Sequence, residues 1–158
     1  THKGQFPMNL IQAEESRVKI IQFIKELQSK LGVTPQRTVV GGFSQGGIMA
    51  LSVALTGSVD DGSQQLVAGF VVFSGLLLEG TESKLINKSI THLKGLILHG
   101  NDDPRVPVSY AHQMQNFLVS RFNSQQLQLT FKLFQGVKHH ISPAMVDVFS
   151  SWITSNFN

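Results

Sequence analysis

The stretch RTVVGGFSQGGIMALSVAL, residues 37–55, decides the fold, because a strand, a turn and a helix follow one another within it. Residues 37–43 are rich first in β-branched side chains and then in glycine, which predicts a strand that ends at a sharp turn. Residues 45–56 are apolar on nearly every side, as expected of a helix that packs against a sheet. One serine, Ser44, stands at the turn between the two.

The rest of the chain continues this alternation of helices and strands. Further strands are predicted at 66–75, 94–100 and 127–134, further helices at 10–31, 108–122 and from Pro143 after a capping Ser142, a turn at 60–63 and a short helix around 83–88. Continuous apolar runs such as LVAGFVVFSG are typical of strands buried on both faces of a parallel sheet. The alternation predicts an α/β fold, a mostly parallel sheet with helices on both faces. At 158 residues, the chain suits a single domain.

Composition excludes several classes of protein. The 13 Lys and Arg residues are scattered rather than gathered in a basic stripe with aromatics, which argues against a nucleic-acid partner. No apolar run reaches the ~18 residues that a transmembrane helix needs. The chain has no cysteine, so disulfides, thiolate metal sites and a cysteine nucleophile are excluded. A chain without cysteine is compatible with the reducing cytosol, and we expect a cytoplasmic location.

The pattern Gly42-x-Ser44-x-Gly46 has the form of a nucleophile elbow. A serine hydroxyl needs a base to remove its proton, so it should stand at the apex of a tight turn where the base can approach. Such a turn brings strand and helix close together, and we expect Gly42 and Gly46 to avoid a collision of side chains. Because the helix directs its N-terminus at the site, the backbone N–H of Gln45 is expected to donate to a developing oxyanion.

Two later loops carry the acid and the base that such a serine needs. The loops are HGNDDPRVP at 99–107 and FQGVKHH at 134–140, each directly after a predicted strand. Because the carboxyl ends of parallel strands share one edge of the sheet, these loops should meet the serine. The chain order Ser, Asp, His is that of elbow-type hydrolases. The pattern alone leaves open the choice between Asp102 and Asp103 and that between His139 and His140.

The same loops allow other interpretations. His99 ends a predicted strand before a glycine, and we expect a structural role for it, while His92 and His112 are predicted at the surface. A zinc site is conceivable from His99, Asp102, His139 and His140. A zinc site would leave the serine in its special turn unexplained.

Together, the segments GGFSQGG, FSG, HGNDDPRVP and FQGVKHH resemble the acyl-protein thioesterase/lysophospholipase/carboxylesterase family of α/β-hydrolases. The resemblance runs from about Leu10 to the C-terminus and keeps the order and approximate spacing of the motifs. It aligns Ser44 with the nucleophile, Asp103 with the acid and His139 with the base, while Asp102 falls in a variable position. It implies an α/β-hydrolase fold, of which this chain holds the C-terminal part, and chemistry without a metal or cofactor.

The resemblance also implies the activity. Family members hydrolyse thioesters on S-acylated proteins, lysophospholipids or small carboxylic esters through an acyl-enzyme. The apolar segment LLLEG at 76–80 is expected to border the acyl pocket, which would favour aliphatic acyl groups over charged ones. Two alternatives remain: a hydrolase of other small esters, and a weakly active or inactive module that serves as an interaction subunit in a larger assembly.

The chain departs from the family pattern at its front. The family's sheet begins with several strands before the helix predicted at 10–31, and an early histidine-glycine loop supplies a second oxyanion donor. No strand pattern precedes residue 10. Strand 38–43 would then be an open edge with unpaired backbone groups. We therefore expect residues 1–158 to be a single α/β-hydrolase domain lacking its N-terminal strands, with a preceding segment or a partner chain covering strand 38–43.

Overall fold

A computed structural model describes residues 9–57, 65–78 and 90–158. The predicted turn at 60–63 and the predicted helix at 83–88 lie outside the described residues. The helices are α1 (Leu10–Leu31), α2 (Gln45–Thr56), α3 (Val108–Arg121) and α4 (Pro143–Phe157). The strands are β1 (Val39–Phe43), β2 (Gly69–Phe73), β3 (Leu93–Gly100) and β4 (Leu127–Phe134).

Most of the predicted bounds are close to the observed ones, and α1, α2 and β4 agree to the residue. The largest differences are at β1 and β2. Strand β1 begins at Val39 rather than at residue 37, because Pro35–Arg37 forms a turn of 3₁₀-helix in which the Thr38 N–H donates to the Pro35 carbonyl. Strand β2 is limited to Gly69–Phe73, half the predicted length. Helix α4 begins as predicted, and the Met145 N–H donates to the Ser142 hydroxyl.

The four strands form one sheet in the order β1-β2-β3-β4, and every neighbouring pair is parallel. Helices cover both faces. Leu51 and Leu55 of α2 lie with Met114 of α3 in one buried cluster, whereas Met145 and Trp152 of α4 lie in another. The predicted parallel α/β sheet with helices on both faces is therefore confirmed.

Burial is uneven across the sheet. Every residue of β2 is buried, whereas no residue of β1 is, although both strands have five residues. Within the described residues, no strand pairs with the outer edge of β1. Helix α1, which packs beside α2, leaves large apolar side chains exposed, with Ile11 at 73%, Phe23 at 58% and Leu31 at 68%. In the described part of the chain, no helix combines the length and apolar character of a membrane span.

Candidate active site

Ser44 occupies the turn between β1 and α2, at the carboxyl edge of the sheet. Its φ of 55° and ψ of −118° fall outside the regions that residues with a side chain prefer. The turn is held on both sides, since the Ser44 N–H donates to the Phe73 carbonyl at 2.8 Å and the Ile48 N–H donates to the Ser44 carbonyl at 3.1 Å. The hydroxyl is thereby presented beside the N-terminus of α2.

The glycines of this turn divide into two kinds. A Cβ on Gly42 would lie 2.2 Å from the backbone carbon of Gly46, so only glycine fits at the end of β1. A Cβ on Gly46 would meet nothing within 4 Å, and the predicted steric need for Gly46 is therefore wrong. The crowded helix residue is Gly47, where a Cβ would lie 2.9 Å from the Gly42 carbonyl oxygen. The Gly46-Gly47 pair in the sequence was the signal for this, but the sequence does not say which glycine faces the strand.

The structure brings together the hydroxyl, the imidazole and the carboxylate that the family resemblance selects. His139 Nε2 is 3.0 Å from Ser44 Oγ, and His139 Nδ1 is 2.7 Å from Asp103 Oδ2. The three residues lie in the loops that follow β1, β3 and β4. An ionised carboxylate only accepts, so Nδ1–H donates to Asp103, and Nε2 is left to accept from the Ser44 hydroxyl. The series is thus oriented to remove a proton from Ser44.

Asp103 is buried, and both of its carboxylate oxygens accept hydrogen bonds. Its Oδ1 accepts from the backbone N–H groups of Arg105 and Val106, both at 2.9 Å, while Oδ2 faces His139. Burial acts to raise the pKa of this carboxyl, but the hydrogen bonds from Val106, His139 and Arg105 outweigh it and hold the pKa below its usual value. Asp103 therefore stays ionised at neutral pH and can hold the imidazole in one tautomer.

Two residues of β3 hold the acid loop in place. His99 is completely buried, and its Nε2 donates to the Val106 carbonyl at 2.8 Å, which agrees with the expected structural role. Burial lowers the pKa of His99, so its ring is neutral, although Asp103 Oδ2 is only 3.8 Å away. At Gly100, a Cβ would lie 2.2 Å from the Val137 carbonyl oxygen. The absence of a side chain there lets the acid loop approach the loop that carries His139.

An open cleft of about 460 Å³ lies above this series. Phe43, Ser44, Gln45, Gly46, Arg105 and His139 line it. The Phe43 ring contacts the imidazole, with 4.8 Å between ring centroids. No acceptor in the described residues takes the backbone N–H of Gln45, which leaves that donor available to an oxyanion. Sequence reasoning did not single out Phe43 or Arg105, and their only signal was their place next to Ser44 and near Asp103.

Other predicted residues lie elsewhere. Asp102 and His140 are exposed, and neither belongs to the hydrogen-bonded series. Leu76 and Leu78 pack with Ala13, Ile48 and Val106 in an internal cluster rather than in the lining of the cleft, and residues 79–80 lie outside the described part. Within the described ranges, no group of three or more His, Asp or Glu side chains is arranged to hold a metal ion.

Comparisons with known proteins agree with one another. A family model described as Phospholipase/Carboxylesterase matches residues 8–157. Acyl-protein thioesterase 1 of Saccharomyces cerevisiae is 26% identical over 127 residues, which are 80% of this chain and 53% of that protein. Acyl-protein thioesterase 1 homolog 1 of Dictyostelium discoideum is 26% identical over 144 residues, 90% of this chain and 59% of that protein. The chain thus spans little more than half the length of these curated relatives.

Solved structures show the same fold. The crystal structure of Arabidopsis thaliana SOBER1 superposes with a TM-score of 0.76 at 22% identity, over 96% of this chain and 68% of that one. The crystal structure of esterase PE8 gives 0.72 at 24% identity, over 96% of this chain and 67% of that one. At such identities, the likeness establishes the α/β-hydrolase fold and does not by itself assign an activity.

Proposed function

The chain belongs to the phospholipase/carboxylesterase family, and from that premise we propose that the protein is a serine hydrolase of carboxylic esters and thioesters. The observation that carries the proposal is the hydrogen-bonded series from Asp103 through His139 to Ser44, beside the free N–H of Gln45. Relatives named acyl-protein thioesterase favour acylated proteins as substrates. Lysophospholipids and small esters, and a cytoplasmic location, stay predictions.

Acylation of Ser44 is the first half of the proposed reaction. His139 Nε2 takes the proton of the hydroxyl as Ser44 Oγ attacks the carbonyl carbon, and the carbonyl oxygen becomes an oxyanion. The Gln45 N–H, at the N-terminus of α2, donates to that oxyanion. Asp103 stabilises the imidazolium form of His139. The tetrahedral intermediate then breaks its bond to the alcohol or thiol, which takes the proton from His139 and leaves an acyl-serine.

Hydrolysis of the acyl-serine uses the same groups in reverse. His139 takes a proton from a water molecule, whose oxygen attacks the acyl carbonyl. The second tetrahedral intermediate releases Ser44 Oγ, which recovers its proton from His139, and the carboxylic acid departs. In both half-reactions, His139 receives each proton that is removed and returns it to the group that leaves. The proposed chemistry therefore uses side chains, a backbone N–H and water, without a cofactor.

We also propose that the domain's sheet continues beyond β1. All five β1 residues are only partly buried or exposed, and the outer edge has no strand partner among the described residues. A strand from chain outside these 158 residues, or from another polypeptide, would pair with it. The same segment would supply the second oxyanion donor. Since one such donor contributes about 10²–10³ in rate, residues 1–158 without that donor are expected to hydrolyse esters slowly.

Labelling with a fluorophosphonate probe tests the hydrolase. In the full natural chain, the probe should label the wild-type protein. It should label neither Ser44→Gly nor Ser44→Ala. Ser74→Ala is the matched control, because Ser74 ends the neighbouring strand but is fully buried, and it should keep full labelling. Labelling that survives Ser44→Ala would overturn the assignment of Ser44. If the wild-type protein is not labelled and hydrolyses no 4-nitrophenyl ester, a non-catalytic interaction module is favoured instead. The open edge of β1 would suit such a role.

A further inference from the structure

Arg105 shares the cleft with the two reacting side chains, Ser44 and His139. Its backbone is fixed, because its N–H donates to Asp103 Oδ1 at 2.9 Å and the following residue, Val106, is buried. The side chain itself is exposed. A cation therefore projects from the same loop that positions the acid, at a place set by that loop's hydrogen bonds.

The Arg105 guanidinium has no partner in the described part of the chain. No carboxylate there lies within ion-pair distance, and no hydrogen bond joins the guanidinium to another described group. Arg17 shows the contrast, since its guanidinium donates to both Glu14 and the Thr56 hydroxyl. A guanidinium with all its donors unused, in a cleft beside a reactive serine, is available to a ligand.

The other charges of the cleft also favour an anion. Among the described residues, no acidic side chain lines it, and the first turn of α2, whose N-terminus faces the cleft, contains no acidic residue. The carboxylate of Asp103, next to His139, is buried, and its oxygens are taken by two backbone N–H groups and by His139. The exposed Asp102 is not among the lining residues. An anionic group near the scissile bond would meet positive potential, with no facing carboxylate from the described part of the chain.

We propose that Arg105 is a specificity-determining residue that selects esters or thioesters bearing a carboxylate or phosphate near the scissile carbonyl. This inference rests on the proposed hydrolase function and names the class of substrate for the same site. A guanidinium presents parallel N–H donors that match the paired oxygens of either anion. The aliphatic preference expected from LLLEG does not oppose this, because Leu76 and Leu78 pack inside the molecule.

Hydrolysis of charge-matched esters tests the proposal in the full natural chain. The 4-nitrophenyl half-ester of glutaric acid carries the anion on the acyl side, and 4-acetoxybenzoate carries it on the leaving group; their methyl esters are the neutral controls. In Arg105→Gln, kcat/KM for at least one anionic ester should fall about tenfold, with its neutral partner unchanged. Arg37→Gln, an exposed arginine at the opposite end of β1, should change neither. Equal losses for charged and neutral esters, or no loss, would overturn the proposal.

A binding measurement separates this proposal from the hydrolase itself. The glutarate half-ester and 4-acetoxybenzoate are each titrated calorimetrically into Ser44→Ala and into the Ser44→Ala, Arg105→Gln double variant. At least one of the two anions should bind about tenfold more tightly to Ser44→Ala than to the double variant. If wild type hydrolyses no ester but this difference is found, the hydrolase fails and the anion site stands. If wild type hydrolyses esters without regard to charge and both proteins bind both anions equally, the role of Arg105 alone is refuted.

Discussion

Strands β1 and β2 lie side by side in register, and each ends in a serine with positive φ, Ser44 at 55° and Ser74 at 49°. The two ends are otherwise opposite. Ser74 is fully buried, and its hydroxyl has no partner in the described residues, whereas Ser44 reaches the cleft and His139. Strand β2 is buried throughout, and β1 is not. A positive φ after a strand is therefore not what distinguishes the candidate nucleophile; the distinction lies in the imidazole beside its hydroxyl and in the open cleft in front of it.

The largest expected effect removes the charge that supports that base. Asp103→Asn should lower kcat/KM for a 4-nitrophenyl ester by about 10⁴, because an amide cannot hold His139 in the same tautomer or stabilise its charged form. Asp102→Asn is the control, an exposed neighbour outside the hydrogen-bonded series, and should leave the rate unchanged. Circular dichroism would show that both variants fold. A greater loss in the Asp102 variant would mean that the acid is the wrong aspartate.

The next effect concerns the tight contact between β1 and α2. Gly42→Ala should reduce the free energy of unfolding by about 3 kcal/mol or more, because its Cβ would overlap the Gly46 backbone, which cannot move aside. Gly46→Ala places the same methyl group in open space and should cost less than about 1 kcal/mol. Urea denaturation of the two variants measures the difference. Similar losses would show that the two chain segments are not as close as described.

A pair of valines tests whether β1 stays open in the full natural chain. Val71→Ala, in buried β2, should cost about 2 kcal/mol. Val39 packs beside the same cluster from β1, and if a further strand covers β1, Val39→Ala should cost nearly as much. The exposed Val119 serves as the control, with an expected change within about 0.5 kcal/mol for Val119→Ala. A cost at Val39 that is close to that at Val119 would refute the covered edge.

The smallest effect is a pH dependence that comes from His99. Its pKa is below the ordinary 6.5 in the folded chain, so the unfolded state takes up the proton first as pH falls. The free energy of unfolding should therefore decrease below pH 6.5, by at most about 1.4 kcal/mol per pH unit, until the folded pKa is reached. Asp103 acts in the same direction, but only at pH values near and below its ordinary 3.8.

Denaturation series between pH 5 and pH 8 would isolate this contribution. His99→Gln keeps a donor for the Val106 carbonyl but removes the titration, so its stability should vary less with pH than that of wild type. Parallel curves for wild type and His99→Gln would mean that the ring is not kept neutral by burial.

Much of this molecule could be predicted from patterns of short range. Periodicity predicted α1 and β4, and the nearly uniform apolar run after the turn predicted α2. The rule that parallel strands share one carboxyl edge predicted that the three loops would meet at Ser44, and the family resemblance was needed to select Asp103 and His139 within them. Contacts between distant segments were beyond such patterns. The steric role assigned to Gly46 belongs to Gly47, because a Cβ on Gly47 would meet the Gly42 carbonyl oxygen, whereas one on Gly46 would meet nothing within 4 Å. Arg105 was overlooked because the cleft forms only when its loops meet.

The backbone conformation of Ser44 has a consequence for how such a protein can evolve. A residue with a side chain at φ 55° costs folding free energy that glycine would not, so the chain would fold more readily if the reactive hydroxyl were lost. Selection for thermal stability alone would favour replacement of Ser44, and only selection for catalytic turnover would keep it. Relatives that are no longer selected for activity should accordingly be recognisable by a glycine at the position of Ser44.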